Sequence, residues 1–143
     1  FLVIGYALVL AGGLVAAVTH PTGFELGSWT AAYLVLVGGV AQATLGGAQA
    51  WLARGAPSSS VVRLELVLWN SSVAAVLVGT LAGLPWVTSL GGVVVVAALV
   101  VFLVGARFSP ASPRWAVAVF RGLILFVLLS APVGLVLAWI RRG

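Results

Sequence analysis

The sequence predicts an all-α fold, a polytopic membrane helical bundle of five transmembrane helices, on three observations. Hydrophobic residues fill 63% of its 143 positions and charged residues only 6%. The apolar residues fall in long runs, and a helix needs about 20 residues to cross a hydrocarbon core of roughly 30 Å. Arg and Trp gather at the ends of those runs, where headgroups and water begin. Lipid is therefore the expected solvent for folding.

The first span is read at Leu2–Thr19, an uncharged run that stops before His20-Pro21. It opens at Phe1, inside an apolar stretch and without Met, so the natural start is expected upstream. A cleaved signal peptide fits poorly, because no basic flank or small-residue cleavage site is present. The second span is Trp29–Ala53 and the third Val62–Gly83. After the uncharged turn Leu84-Pro85, the fourth runs over Trp86–Ala106 and the fifth over Trp115–Ile140. Pro132 should kink the fifth, since it cannot donate to the carbonyl of Leu128. These spans use most of the chain, so residues 1–143 read as a single transmembrane domain with no room for a soluble one.

Composition excludes several chemistries. With no cysteine, disulfides, iron–sulfur clusters and thiolate metal sites drop out. The formal charge of +5 is not a nucleic-acid signal: the basic residues are all Arg, placed at span ends and short loops. Lys, Asp and Met are absent while Ala, Val, Leu, Gly and Arg abound, a bias typical of GC-rich bacterial genomes such as those of actinobacteria. A bacterial cytoplasmic membrane is the expected location.

Arg54 and Arg63 bound the second loop, and Arg107 and Arg114 the fourth. The loops at Pro21 and Pro85 carry none. The positive-inside rule then puts the second and fourth loops in the cytoplasm, with the N-terminal end inside and the C-terminus outside. Arg141 and Arg142 vote the other way.

Gly38-Gly39-Val40 precedes Arg54 as Gly91-Gly92-Val93 precedes Arg107, at the same spacing. The match fits a parallel repeat of two hairpins, or chance in a chain so rich in Gly and Val. Gly38, Gln42, Gly46 and Gln49 share one helical stripe, and Gly79 and Gly83 another. Small residues there let a second backbone approach closely, which suits helix packing inside the chain before any dimer contact.

Glu65 is the most informative residue. It lies just inside the third span, where an unpaired carboxylate is costly, and Arg121 lies at a similar depth in the fifth. An interhelical Glu65–Arg121 ion pair is the economical expectation; a proton or cation site is the functional alternative. Gln42, Gln49, Trp69 and Asn70, with Ser71 and Ser72, are expected to form a small polar cluster between the second and third spans that bonds across helices or lines a ligand cleft. His20 is the only histidine, so one chain offers no bis-His haem, and His20 with Glu25 does not close a metal site. No cofactor is expected on this chain alone; a partner's ligands would have to complete such a site. Trp29, Trp86, Trp115 and Trp139 read as interfacial anchors.

The stretch Tyr33-Leu-Val-Leu-Val-Gly-Gly-Val-Ala-Gln-Ala-Thr-Leu-Gly-Gly resembles a helix pattern of the haem-copper oxidase subunit I and NnrS-type superfamily, and the following span with Trp69-Asn70 and Gly79 is similar in style. The resemblance covers about two helices, and its motifs are glycine-based. It departs where those families carry metal-ligating histidines, so it implies a helical scaffold without the metal sites. The function expected is a non-catalytic accessory subunit of a larger membrane complex of respiratory or oxidative type, in contact with lipid and other membrane subunits. The alternative is a small transporter or channel with a site around Glu65, Arg121, Gln42 and Gln49.

Overall fold

The structure, a computed structural model, describes residues 1–55, 58–105 and 108–140, with side chains described as far as 129. The described residues are helical with no strand beyond an isolated bridge between Ala53 and Phe108. Helix α1 spans Leu2–Thr22 and α4 spans Ser59–Leu81. Between them, α2 (Gly27–Tyr33), a π-helical segment (Leu34–Ala41) and α3 (Gln42–Leu52) run on as a single 26-residue helix. Helices α5 (Pro85–Gly105) and α6 (Arg114–Ile140) follow. Among the described residues, four helices are long and apolar enough to cross a membrane: Leu2–Thr22, Gly27–Leu52, Ser59–Leu81 and Pro85–Gly105. The fifth, α6, has 27 residues. The kink expected at Pro132 and the anchor expected at Trp139 fall where side chains are not described. Arg107, Arg141 and Arg142 lie outside the described residues.

The chain divides into two compact units, Phe1–Ala48 and Gln49–Gly143. In the first, α1 packs against α2 and the π segment through glycines. A Cβ on Gly5 would lie 3.0 Å from the Gly39 carbonyl oxygen, and one on Gly39 would lie 2.9 Å from that of Gly5. A Cβ on Gly12 would come within 2.9 Å of the Ala31 carbonyl oxygen. These contacts bring backbone against backbone, the close approach that van der Waals packing between membrane helices favours. Gly46 makes room for the Phe1 side chain.

The π segment is the feature that the apolar pattern did not signal. Its hydrogen bonds close over five residues instead of four, a geometry usually limited to a single turn. Here it covers eight residues, Leu34–Ala41, and includes Gly38 and Gly39, both buried.

In the second unit, Ser58 caps α4 by accepting a hydrogen bond from the Val61 amide at 3.4 Å. Helix α4 ends at Leu81, and Gly83 adopts φ 66°. The Leu84 amide donates to the Gly79 carbonyl at 2.7 Å and the Gly83 amide to the Thr80 carbonyl at 3.3 Å, which together form a Schellman turn. Gly83 is thus a correction to the expected packing pair: it has no neighbour within contact of an added Cβ, and its work is to turn the chain. The same turn ends α1, where Gly23 has φ 65° and the Phe24 amide donates to Thr19 at 3.2 Å. Pro85 then occupies the first position of α5, where its missing N–H costs nothing.

Gly79 keeps the packing role. A Cβ there would lie 2.5 Å from the Thr88 backbone nitrogen, so α4 and α5 meet backbone to backbone. Further along the same seam, a Cβ on Gly91 would lie 2.9 Å from the Val76 nitrogen. The two Gly-Gly pairs therefore both admit the preceding helix, Gly39 in a π-helical backbone and Gly91 in an α-helical one. At the other end of this unit, the Leu52 carbonyl accepts from the Ser109 amide at 3.0 Å and the Ser112 hydroxyl at 2.9 Å. The chain that leaves α3 and the chain that enters α6 therefore lie at one end, beside the starts of α4 and α6.

Candidate functional site

Glu65 sits in the second turn of α4 with no exposed surface. Its Oε1 accepts a hydrogen bond from the Gln49 Nε2 at 2.8 Å, across from the end of α3. Room for the carboxyl comes from Gly105 at the end of α5, where a Cβ would stand 3.4 Å from Oε1. The other oxygen, Oε2, is buried and has no hydrogen-bond partner. One turn along, Trp69 is 3% exposed and meets Phe102 of α5 edge to face, with ring centroids 6.3 Å apart. Its indole N–H is also buried without a partner. A carboxyl oxygen and an indole N–H thus lie unsatisfied one helical turn apart on the buried face of α4.

The structure gives Glu65 and Arg121 different partners. No ion pair joins them: Glu65 bonds Gln49, while the Arg121 guanidinium lies 4.9 Å from the centre of the Phe108 ring, a cation–π contact. The reason lies in the faces of α6. Ala116, Phe120 and Ile124 form its buried stripe, and Arg121, one residue on from Phe120, turns roughly 100° away from it. Arg121 is exposed. Phe108 in turn meets Phe120 edge to face at 5.7 Å, which fixes the ring beneath the guanidinium.

The expected polar cluster divides. Gln49, Glu65 and Trp69 share the second unit and its buried face. Asn70 is half-buried and donates to the Leu66 carbonyl of its own helix at 2.8 Å, which keeps it out of the group. Gln42 belongs to the first unit, is fully buried, and has neither amide atom hydrogen-bonded. Gly38, Gln42, Gly46 and Gln49 are all buried, as a single helical stripe would require. Ser72, another member of the expected cluster, bonds elsewhere: its hydroxyl donates to the Gly91 carbonyl at 2.9 Å and ties α4 to α5.

His20 lies in the last turn of α1 and Glu25 in the turn that follows; both are exposed. Among the described residues, no three His, Asp or Glu side chains gather as a metal site would need. Trp29, Trp86 and Trp115 are exposed near helix starts, as interfacial anchors are. Trp29 also stacks on Tyr33 at 5.2 Å.

Fold and composition together define an all-α, multi-pass membrane protein. No family model matches the chain, and no curated protein or solved structure is significantly similar to it.

Proposed function

We propose that the chain is a non-catalytic membrane subunit that packs within a larger membrane complex. One observation carries this reading: the side chains that are hydrogen-bonded inside the spans find their partners within the chain, and two of those bonds tie one helix to another. Gln49 bonds Glu65, Ser72 bonds the Gly91 carbonyl, and Asn70 bonds its own helix. A conduction path would need polar groups facing a shared opening at several depths. The respiratory or oxidative type of the complex rests only on the resemblance of Tyr33–Gly47 and the span that follows it.

A second reading, a small transporter or channel, is favoured by the unsatisfied Glu65 Oε2, Trp69 Nε1 and Gln42 amide. Buried polar groups within a membrane span often mark a site for a small polar guest or a proton. Purification from native membranes in mild detergent, with mass spectrometry of the co-purifying chains, separates the two. Larger membrane chains at fixed stoichiometry are expected. An isolated homo-oligomer would sink the subunit reading and favour the transporter.

The proposed location is a bacterial cytoplasmic membrane, with the Arg-flanked loops inside. The meeting of Leu52 with Ser109 and Ser112 supports a common side for those loops. Single cysteines at Thr22 and Ser59 should then react with an impermeant maleimide from opposite faces, Ser59 only after the cytoplasmic side is opened. Labelling of both from one face would overturn the orientation.

A further inference from the structure

A shallow open groove of about 400 Å³ lies beside the start of α6. Phe108, Ser109, Arg114, Val117 and Arg121 line it, together with the intervening loop. Arg114 and Arg121 are separated by two helical turns, so both guanidinium groups reach the same side of α6. The sequence has only two carboxylates, Glu25 and Glu65. Glu65, the acidic residue of the second unit, is buried against Gln49, so among the described residues of that unit no acidic side chain neutralises this groove.

The groove is also held in shape. Arg121 rests on the Phe108 ring, Phe108 rests on Phe120, and Ser112 pins the loop to the Leu52 carbonyl. Ser109 Oγ accepts from the Ala111 amide at 3.3 Å, which leaves its own proton to donate. Pro113 precedes α6 and has no side chain that can accept from the first-turn amides, so the positive end of that helix adds to the same field. Two forked guanidinium groups and a hydroxyl donor are the chemistry of phosphate recognition. The site stands where α5 has ended and α6 begins, the level at which lipid headgroups meet a membrane helix.

We propose that Arg114 and Arg121, with Ser109, bind a phosphate ester, and that its source is the headgroup of an anionic phospholipid. The phosphate oxygens accept from the two guanidinium groups and the hydroxyl, while Val117 and Phe108 border the glycerol end. The purified chain, reconstituted into nanodiscs of phosphatidylcholine with or without phosphatidylglycerol, tests this by native mass spectrometry of retained lipid. Wild type is expected to retain phosphatidylglycerol in preference to phosphatidylcholine. Arg114→Gln and Arg121→Gln should each weaken that retention about fivefold, the effect of roughly one basic residue near a membrane surface. Arg121→Lys keeps the charge and should weaken it less, and Arg54→Gln and Arg63→Gln, at the same end but outside the groove, should leave it unchanged. A titration of inorganic phosphate in neutral detergent distinguishes the sources. Displacement of phosphatidylglycerol by millimolar phosphate would overturn the lipid assignment and give the groove to a soluble phosphate. Equal retention in the groove variants, or an equal loss in Arg54→Gln, would overturn the site itself.

Discussion

Gln49→Leu is expected to destabilise the protein by on the order of 2 kcal/mol in detergent, because it leaves a fully buried carboxyl with neither oxygen bonded. The double variant Gln49→Leu/Glu65→Leu should cost less than that single one. Removing both partners of a buried hydrogen bond also removes the penalty of the orphaned group. Thermal unfolding of the four proteins in one double-mutant cycle gives the coupling directly. Additive losses would show that Gln49 and Glu65 do not depend on one another. Arg121→Gln is the internal control: exposed and outside the pair, it loses its contact with the Phe108 ring and should cost no more than about 1 kcal/mol. Non-additive losses for Arg121→Gln combined with Glu65→Leu would restore Arg121 as a partner of Glu65.

Gly79→Leu is expected to be the most damaging single substitution in the α4–α5 hairpin. The first added carbon already meets the Thr88 nitrogen at 2.5 Å and the Val87 carbonyl carbon at 3.0 Å. A flexible side chain could swing aside from such a contact, but backbone atoms move only if the two helices part. Parting them would also break the Ser72–Gly91 bond along the same seam. A loss of about 3 kcal/mol or more follows, at the upper end for overpacking a core. Gly13→Ala and Gly122→Ala supply the contrast, since an added Cβ at either meets nothing within 4 Å. They should leave the melting temperature unchanged or raise it slightly, through the better helix propensity of Ala. A Gly79→Leu variant that melts with these two would show that the hairpin is loosely packed.

The helices were legible in the sequence because lipid demands length and apolarity, and both are written along the chain. Their ends were less so. The first apolar run ends at Thr19, before His20-Pro21, yet α1 runs on to Thr22 and stops at Gly23. Gly83 lies four residues after Gly79, the spacing of a packing pair, although its left-handed backbone makes it a turn. Spacing alone does not separate those two uses of glycine. The π segment had no signal at all, since the apolar run Leu34–Ala41 suits either helix type and its close packing against α1 is a tertiary matter.

The candidate site was half legible. A carboxylate within an apolar run announces a buried group, and the spacing of Gly38, Gln42, Gly46 and Gln49 puts Gln49 on the buried stripe. Depth alone matches Glu65 to Arg121, and depth is not enough to choose a partner. Two helices also have rotations, and the stripe Ala116, Phe120, Ile124 turns Arg121 outward. Bulk and spacing do not reveal that stripe, because the exposed Trp115, Val119 and Leu123 recur at the same interval as the buried Ala116, Phe120 and Ile124. The groove at Phe108 is equally hidden, because it depends on how Ser109 and Ser112 fold back on Leu52.

The second membrane helix bears on hydrophobic mismatch. At 1.5 Å per residue, a regular α-helix of the length of Gly27–Leu52, 26 residues, would measure roughly 39 Å. That exceeds a hydrocarbon core of roughly 30 Å, and a helix too long for its bilayer must tilt, bend or thicken the lipid around it. Widening the coil over Leu34–Ala41 stores more residues in each turn, so the helix is shorter than its residue count implies. The protein thereby takes up part of the surplus inside its own backbone, and the surrounding bilayer has less to accommodate.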